Sequence, residues 1–273
     1  MHVFLLGATG VGKSDIALTL ARRHGAAILA LDAMQVYREA DIGVGKPTAA
    51  ERAEIPHGGL DLVDFGAAFD VARYVGHATA FLKEHLDQPV LIVGGTGLYF
   101  RALTQGLCDA PPAPDHLRDE LAALSIEELR ARLRNIDPAM LPRLDINNPR
   151  RLIRAIGVME TTGRSLYAWQ AETPAPPVKH FRAFWLQRTK EELQGRIEAR
   201  TRKMLETGWI EEVRGLIVRH GADAVRRFPG IGYREITGHL VADAPLEFTR
   251  HAIVTATRQY AKRQLTCSTV SLT

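Results

Sequence analysis

The sequence predicts an α/β fold, a parallel sheet flanked by helices and interrupted by a helical insert. Three observations carry this prediction. A glycine-rich run, Gly7-Ala8-Thr9-Gly10-Val11-Gly12-Lys13-Ser14, follows a short apolar strand and opens a helical stretch, which makes the sheet P-loop NTPase-like. Buried-strand runs then alternate with helical stripes, the pattern of a parallel sheet. Two proline-rich passages, Ala110-Pro111-Pro112-Ala113-Pro114 and Pro174-Ala175-Pro176-Pro177, bracket a charged segment of helical spacing.

Taken in order, Val3-Phe4-Leu5-Leu6 is the first strand, and the loop after it is built to hold a di- or triphosphate. Its glycines let several backbone N–H groups converge on one anion, Lys13 adds a point charge, and Ser14 can place a hydroxyl on Mg²⁺. Residues 26–31 read as a buried strand ending at Asp32, at the carboxyl edge where ligands bind in such sheets. Asp70 is a helix N-cap followed by Val71, Tyr74, Val75, Ala78, Phe81 and Leu82 at helical spacing. Residues 89–93 form the next strand and run into Gly94-Gly95-Thr96-Gly97, where the backbone can approach a ligand and Thr96 offers a hydroxyl.

The proline passages set expected boundaries: a first core segment over 1–110, a helical insert over 111–177, and a resumed core with basic helices over 178–273. Inside the insert, Leu121, Leu124, Leu129 and Leu133 mark helices. Residues 181–186 return as a strand, and Leu193, Ile197 and Met204 give a buried stripe opposite Arg196, Arg200 and Arg202. The last third is helical and ends in Arg258-Gln259-Tyr260-Ala261-Lys262-Arg263-Gln264.

Two cysteines in 273 residues, Cys108 and Cys267, form no metal-binding spacing and no disulfide framework, so a reducing, cytoplasmic setting is expected. No apolar run is long enough for a membrane span or a signal-peptide core. The net charge of +4 is small, but arginines and lysines cluster in the second half, which favours a polyanionic partner. Gly230-Ile231-Gly232-Tyr233-Arg234 combines flexible backbone, an aromatic ring and a cation, suited to single-stranded RNA or to a plain helix-connecting turn.

An ATPase needs an acid at a strand end to orient water, yet the strand over 89–93 ends in Gly94-Gly95. The one strand-end acid near the loop is Asp32, with Gln35 and Tyr37 beside it. Asp32 fits a general base, a Mg²⁺ ligand or a helix cap, and kinase and transferase chemistry both stay open on these residues alone.

Ordered motifs along nearly the whole chain resemble those of bacterial tRNA dimethylallyltransferases. The phosphate loop is similar to G-P-T-A-S-G-K-S, and Asp32-Ala33-Met34-Gln35-Val36-Tyr37 to D-S-x-Q-V-Y. Asp41-Ile42-Gly43 with Lys46-Pro47-Thr48, the Gly94-Gly95-Thr96-Gly97-Leu98-Tyr99 turn and the segment Asn148-Pro149-Arg150-Arg151-Leu152-Ile153-Arg154-Ala155 continue the resemblance. Arg196-Ile197 with Arg200 and Met204-Leu205, then Gly230 to Glu235 and Thr257 to Gln264, complete it.

The resemblance implies transfer of a dimethylallyl group from dimethylallyl diphosphate, with Mg²⁺, to the exocyclic amine of the adenine next to the tRNA anticodon. It implies catalytic roles for Asp32, Thr96 and Arg118, with Gly7, Ala8, Thr9, Gly10, Val11, Gly12, Lys13 and Ser14 on the diphosphate and Ser14 on the metal. It also implies tRNA contacts from Asp32, Ala33, Met34, Gln35, Thr96 and Arg118, from Arg150, Arg151, Leu152, Ile153 and Arg154, and from Gly230, Ile231, Gly232, Tyr233 and Arg234. Arg258, Gln259, Lys262, Arg263 and Gln264 join them. The insert is expected to be mobile and the protein a monomer. Ala8, Ala33 and residues 266–269 depart from the family pattern, which has Pro, Ser and T-W-F-R there. Rival readings are a nucleotide or small-molecule kinase, an adenylate isopentenyltransferase acting on free AMP, and an RNA-binding module with a vestigial nucleotide site.

Overall fold

A computed structural model describes residues 2–269, with side chains through Leu265. The side chains of the departing segment 266–269, Cys267 included, lie outside the described residues. The chain forms two compact units, Met1–Thr104 with Pro177–Thr273, and Gln105–Pro176.

In the first unit, β1 (His2–Gly7), β2 (Ala27–Leu31), β3 (His57–Gly58), β4 (Val90–Gly94) and β5 (Phe181–Leu186) make one parallel sheet in the order β3-β2-β4-β1-β5. Four of these strands are legible as apolar runs. The two-residue β3 is too short for any periodicity. Helices α1 (Lys13–His24), α2 (Ala49–Glu54), α3 (Val71–Glu84) and α4 (Gly97–Gln105) follow the strands. In each central strand, side chains alternate between two cores, as the pleat requires. Phe4, Leu6, Leu29, Leu31 and Ile92 face Tyr74 and Phe81 of α3 and Leu103 of α4. Leu5, Ile28 and Leu91 face Ala17, Leu18 and Ala21 of α1. Asp70 caps α3 as expected, accepting from the Arg73 N–H. The fully buried Tyr74 stacks on Tyr99 at 3.8 Å, and its hydroxyl donates to the Ala30 carbonyl at 2.8 Å, so its polar end is satisfied.

The second unit holds α5 (Asp115–Ala122), α6 (Ile126–Ile136), α7 (Pro149–Thr162) and α8 (Leu166–Ala171) around Leu121, Leu129, Leu133, Met140, Leu152 and Ile156. A capping box of Ser125 and Glu128 starts α6, and Asn148 accepts from the Arg150 and Arg151 amides to start α7. The first unit then closes with α9 (Lys190–Glu206), α10 (Trp209–His220), α11 (Ala222–Arg227), α12 (Tyr233–Ala242) and α13 (Leu246–Thr269). Among the described residues no helix is long and apolar enough to cross a membrane.

Candidate active site

Strand register sets the site. Leu6 and Leu31 both pair with Gly94, so the phosphate loop, Asp32 and the Gly95-Thr96 turn leave the sheet at one level. A side chain at Gly94 would run into the Leu31 carbonyl, which is why glycines occupy the position where an ATPase would carry an acid. Gly12 caps α1 at φ 100°, a conformation that favours glycine, and points the first turn of the helix into the loop.

Within the loop, the Lys13 ammonium donates to the carbonyls of Gly7 and Ala8, each at 2.8 Å. Burial pulls Lys13 down to about 8; the Asp32 carboxylate opposes this and the Arg200 guanidinium adds to it. Arg200 is itself lowered by burial, with Asp32 and Asp15 opposing. Arg196 donates to the Gly10 carbonyl at 3.0 Å and Arg188 reaches the Val11 carbonyl at 3.5 Å. Three arginines therefore join Lys13 around the loop, a cationic field matched to a diphosphate.

Asp32 sits in an Asx turn, Oδ1 accepting from the Met34 N–H at 2.8 Å, with its other oxygen left for a proton. The Thr96 hydroxyl accepts from the Ala33 N–H at 3.2 Å, and the Thr96 N–H donates to the Leu31 carbonyl at 3.2 Å, tying the β4 turn to the β2 turn. The Gln35 amide donates to the Val44 and Gly45 carbonyls at 3.3 and 3.1 Å, which leaves Oε1 as its acceptor. Tyr260 of α13 lies near enough to Asp32 that burial and this carboxylate push its phenol up to about 12. Tyr99 is raised for the same two reasons, with Tyr37 contributing ahead of Asp32.

Several expected RNA contacts are committed to the protein instead. Tyr233 is fully buried between Trp209 and Phe228 and gives its hydroxyl to Glu212, so it is no stacking platform. Gly230 and Gly232 are buried beneath the same rings and Ile231 packs against that cluster, while Arg234 is exposed. Leu152 is wholly buried in the helical unit, Ile153 packs against its core, and Arg154 is bonded to the Ala110 and Pro111 carbonyls at 2.6 and 2.8 Å. Arg150 and Arg151 of the same helix are exposed, and Arg118, about half exposed, pairs with Asp115. Arg258 pairs with Glu198, whereas Gln259, Lys262 and Arg263 lie on the exposed face of α13. Gln264 is buried: Oε1 accepts from the Thr9 N–H at 2.8 Å and Nε2 donates to the Gly95 carbonyl at 3.0 Å. It clasps the phosphate loop to the Thr96 turn and is a site residue of a different kind from the expected one.

Arg188, Arg196, Arg200 and Tyr260 stand at the site although they are not among the expected site residues. Arg196 and Arg200 stand four residues apart on one helix face, which was a readable signal for a shared target. Tyr260 lies within the basic stretch 258–264, whereas Arg188 carries no such signal.

The chain is similar to known proteins along nearly its whole length. Residues 35–268 match the model of the IPP transferase family, and residues 1–56 match that of isopentenyl transferases. A tRNA dimethylallyltransferase of Methylacidiphilum infernorum is 44% identical over 266 residues, 96% of this chain and 81% of that protein. Another, from Jannaschia sp., is 40% identical, covering 96% of this chain and 90% of the relative. Among solved structures, the tRNA isopentenylpyrophosphate transferase of Bacillus halodurans is similar at 33% identity and a TM-score of 0.64, over 97% of this chain and 85% of that one. A eukaryotic dimethylallyltransferase acting on tRNA gives 25% identity and a TM-score of 0.82, over 97% of this chain and 69% of that one. With the family model matching most of its length and relatives near this identity along nearly all of it, the chain belongs to the IPP transferase family and is a prenyltransferase.

Proposed function

We propose that this enzyme transfers a dimethylallyl group from dimethylallyl diphosphate to N6 of the adenine 3′-adjacent to the anticodon in tRNA, releasing diphosphate. One observation carries the reading: a cationic phosphate loop shares its sheet edge with a carboxylate, Asp32, and β4 ends there in glycines where an ATPase would carry a second acid. The N6 lone pair attacks the allylic carbon, the carbon–oxygen bond breaks, and the electron pair leaves on diphosphate. Lys13, Arg196 and Arg200 stabilise that growing charge. The N6 proton passes to Asp32, whose second oxygen is available for it. Gln35, its amide hydrogens held by Val44 and Gly45, presents Oε1 to the remaining N6–H.

Mg²⁺ fits this loop in the manner usual for phosphate substrates, with a few protein oxygens and the rest from ligand and water. Ser14, exposed at the start of α1, is the residue that would hold it, and the ion would supply further charge neutralisation. Among the described residues no cluster of three His, Cys, Asp or Glu forms a separate metal site. The exposed Gln259, Lys262 and Arg263 of α13 and Arg118, Arg150 and Arg151 of the helical unit are assigned to the anticodon arm, where phosphate contacts offset the cost of unstacking the adenine.

The test supplies radiolabelled dimethylallyl diphosphate and Mg²⁺ with unmodified tRNA, AMP or no acceptor. Label on tRNA alone is expected; label on AMP alone moves the chain to free-nucleotide chemistry. Asp32→Ala should lower transfer at least a hundredfold with tRNA affinity kept, in line with the usual weight of general-base catalysis at about 10²–10⁴. Turnover near that of the native enzyme removes Asp32 as the base.

A further inference from the structure

We propose that Glu212 of α10 is a positioning residue for Gln35, acting through the loop at residues 41–46; the inference rests on the reading of Gln35 as the adenine contact. The Glu212 carboxylate accepts from three successive backbone amides, Asp41 at 2.9 Å, Ile42 at 2.5 Å and Gly43 at 3.2 Å, and from the Tyr233 hydroxyl at 2.7 Å. Consecutive N–H groups converging on one anion form a nest, and here the anion is a side chain of the protein itself. Charge-assisted bonds of this kind are about twice as strong as neutral ones.

The nest shapes the turn that follows it. Lys46 N–H returns to the Asp41 carbonyl at 3.0 Å and Gly45 N–H to that of Ile42 at 3.0 Å. The Lys46 ammonium, almost wholly buried, fastens the turn to the Tyr37 carbonyl at 2.6 Å. Fixed in this way, the Val44 and Gly45 carbonyls take both hydrogens' worth of the Gln35 amide and orient it. The loop has no slack to compensate: a side chain on Gly43 would strike Trp209 and Tyr233, and one on Gly45 would strike Arg200. Glu212 thus connects α10 to the orientation of a base-reading group that it does not touch.

Glu212→Gln keeps the shape but removes the charge and one of the two acceptor oxygens. It is expected to lower kcat about tenfold, with the dissociation constant for tRNA and the KM for dimethylallyl diphosphate each changed less than twofold. In the Gln35→Ala background the same substitution should cost nothing more, because the group it orients is gone. A merely structural role would lower the melting temperature and multiply with Gln35→Ala. Tyr233→Phe, which removes one of the four bonds, should show a smaller loss with the same dependence on Gln35, and decides the matter if Glu212→Gln does not fold. Multiplying losses in either double variant, or native kcat in Glu212→Gln, overturn the inference alone. Native kcat in Gln35→Ala overturns it together with the reading of Gln35.

Discussion

Raising the pH above 8 should loosen the hold of the phosphate loop on a diphosphate. Lys13 is an ammonium whose burial brings it down to about 8. A neutral Lys13 supplies no charge, so affinity should follow the charged population. With a value of about 8, that population is about 0.76 at pH 7.5 and about 0.03 at pH 9.5, a loss of about 25-fold, or about 2 kcal/mol. With dimethylallyl diphosphate, whose terminal phosphate is bonded on one side only, the ligand contributes little to this slope, because the last ionisation of such a group lies near pH 6 and is nearly complete over the range. The assay is calorimetric titration of dimethylallyl diphosphate into the free protein, without an acceptor, across these pH values, in two buffers of different ionisation enthalpy. Binding near pH 9 should take up close to one proton, since the anion returns Lys13 to its charged form. Lys13→Arg, which stays charged, should flatten the profile whatever its absolute affinity. Native affinity that is level from pH 7.5 to pH 9.5, without proton uptake, would refute the assignment of Lys13 to the anion.

Two further outcomes follow from residues outside the loop. Gln264→Ala removes both bonds that join Thr9 to Gly95; at about 1 kcal/mol of net worth each, the KM for the diphosphate donor should rise roughly tenfold or more with tRNA affinity changed less than twofold. Steady-state kinetics and filter binding check this, and the opposite split would return Gln264 to the RNA interface. His77 is lowered by burial, and its Nε2 accepts from the Gly59 N–H at 2.9 Å, so the fold holds it neutral. A depressed folded value means stability that is present above the unfolded value of about 6.5 and lost as the pH falls through the folded one. Melting temperature should therefore drop between pH 7.5 and 5 more steeply in the native protein than in His77→Asn, and equal slopes would discount the residue.

Features set by neighbours in the chain were open to reading from the sequence. The phosphate loop, the runs that became β1, β2, β4 and β5, the Asp70 cap and the Leu121, Leu129 and Leu133 core all follow from periodicity or short-range chemistry. So did the glycines where an acid would sit, and Asp32 beside the loop. The polar clusters of the second half were harder, because a sequence shows that an arginine or tyrosine is present but not what it meets. Tyr233 reads as an exposed aromatic beside a cation, yet Trp209 and Phe228 bury it.

Tertiary structure alone decided the partners. Gln264 reaches Thr9 across 255 residues, Glu212 reaches Ile42 across 170, and Arg154 spends its guanidinium on backbone carbonyls. Each bond forms between groups brought together by packing of distant helices, and such a pairing leaves no periodic trace in either segment. Sequence determined that this chain would build a phosphate loop with a carboxylate at the same sheet edge, since both lie at the ends of strands whose register the apolar pattern dictates. Which amides, guanidinia and phenols would close around them was settled by the fold, because a buried polar group takes the nearest partner that satisfies it, however far away in the chain.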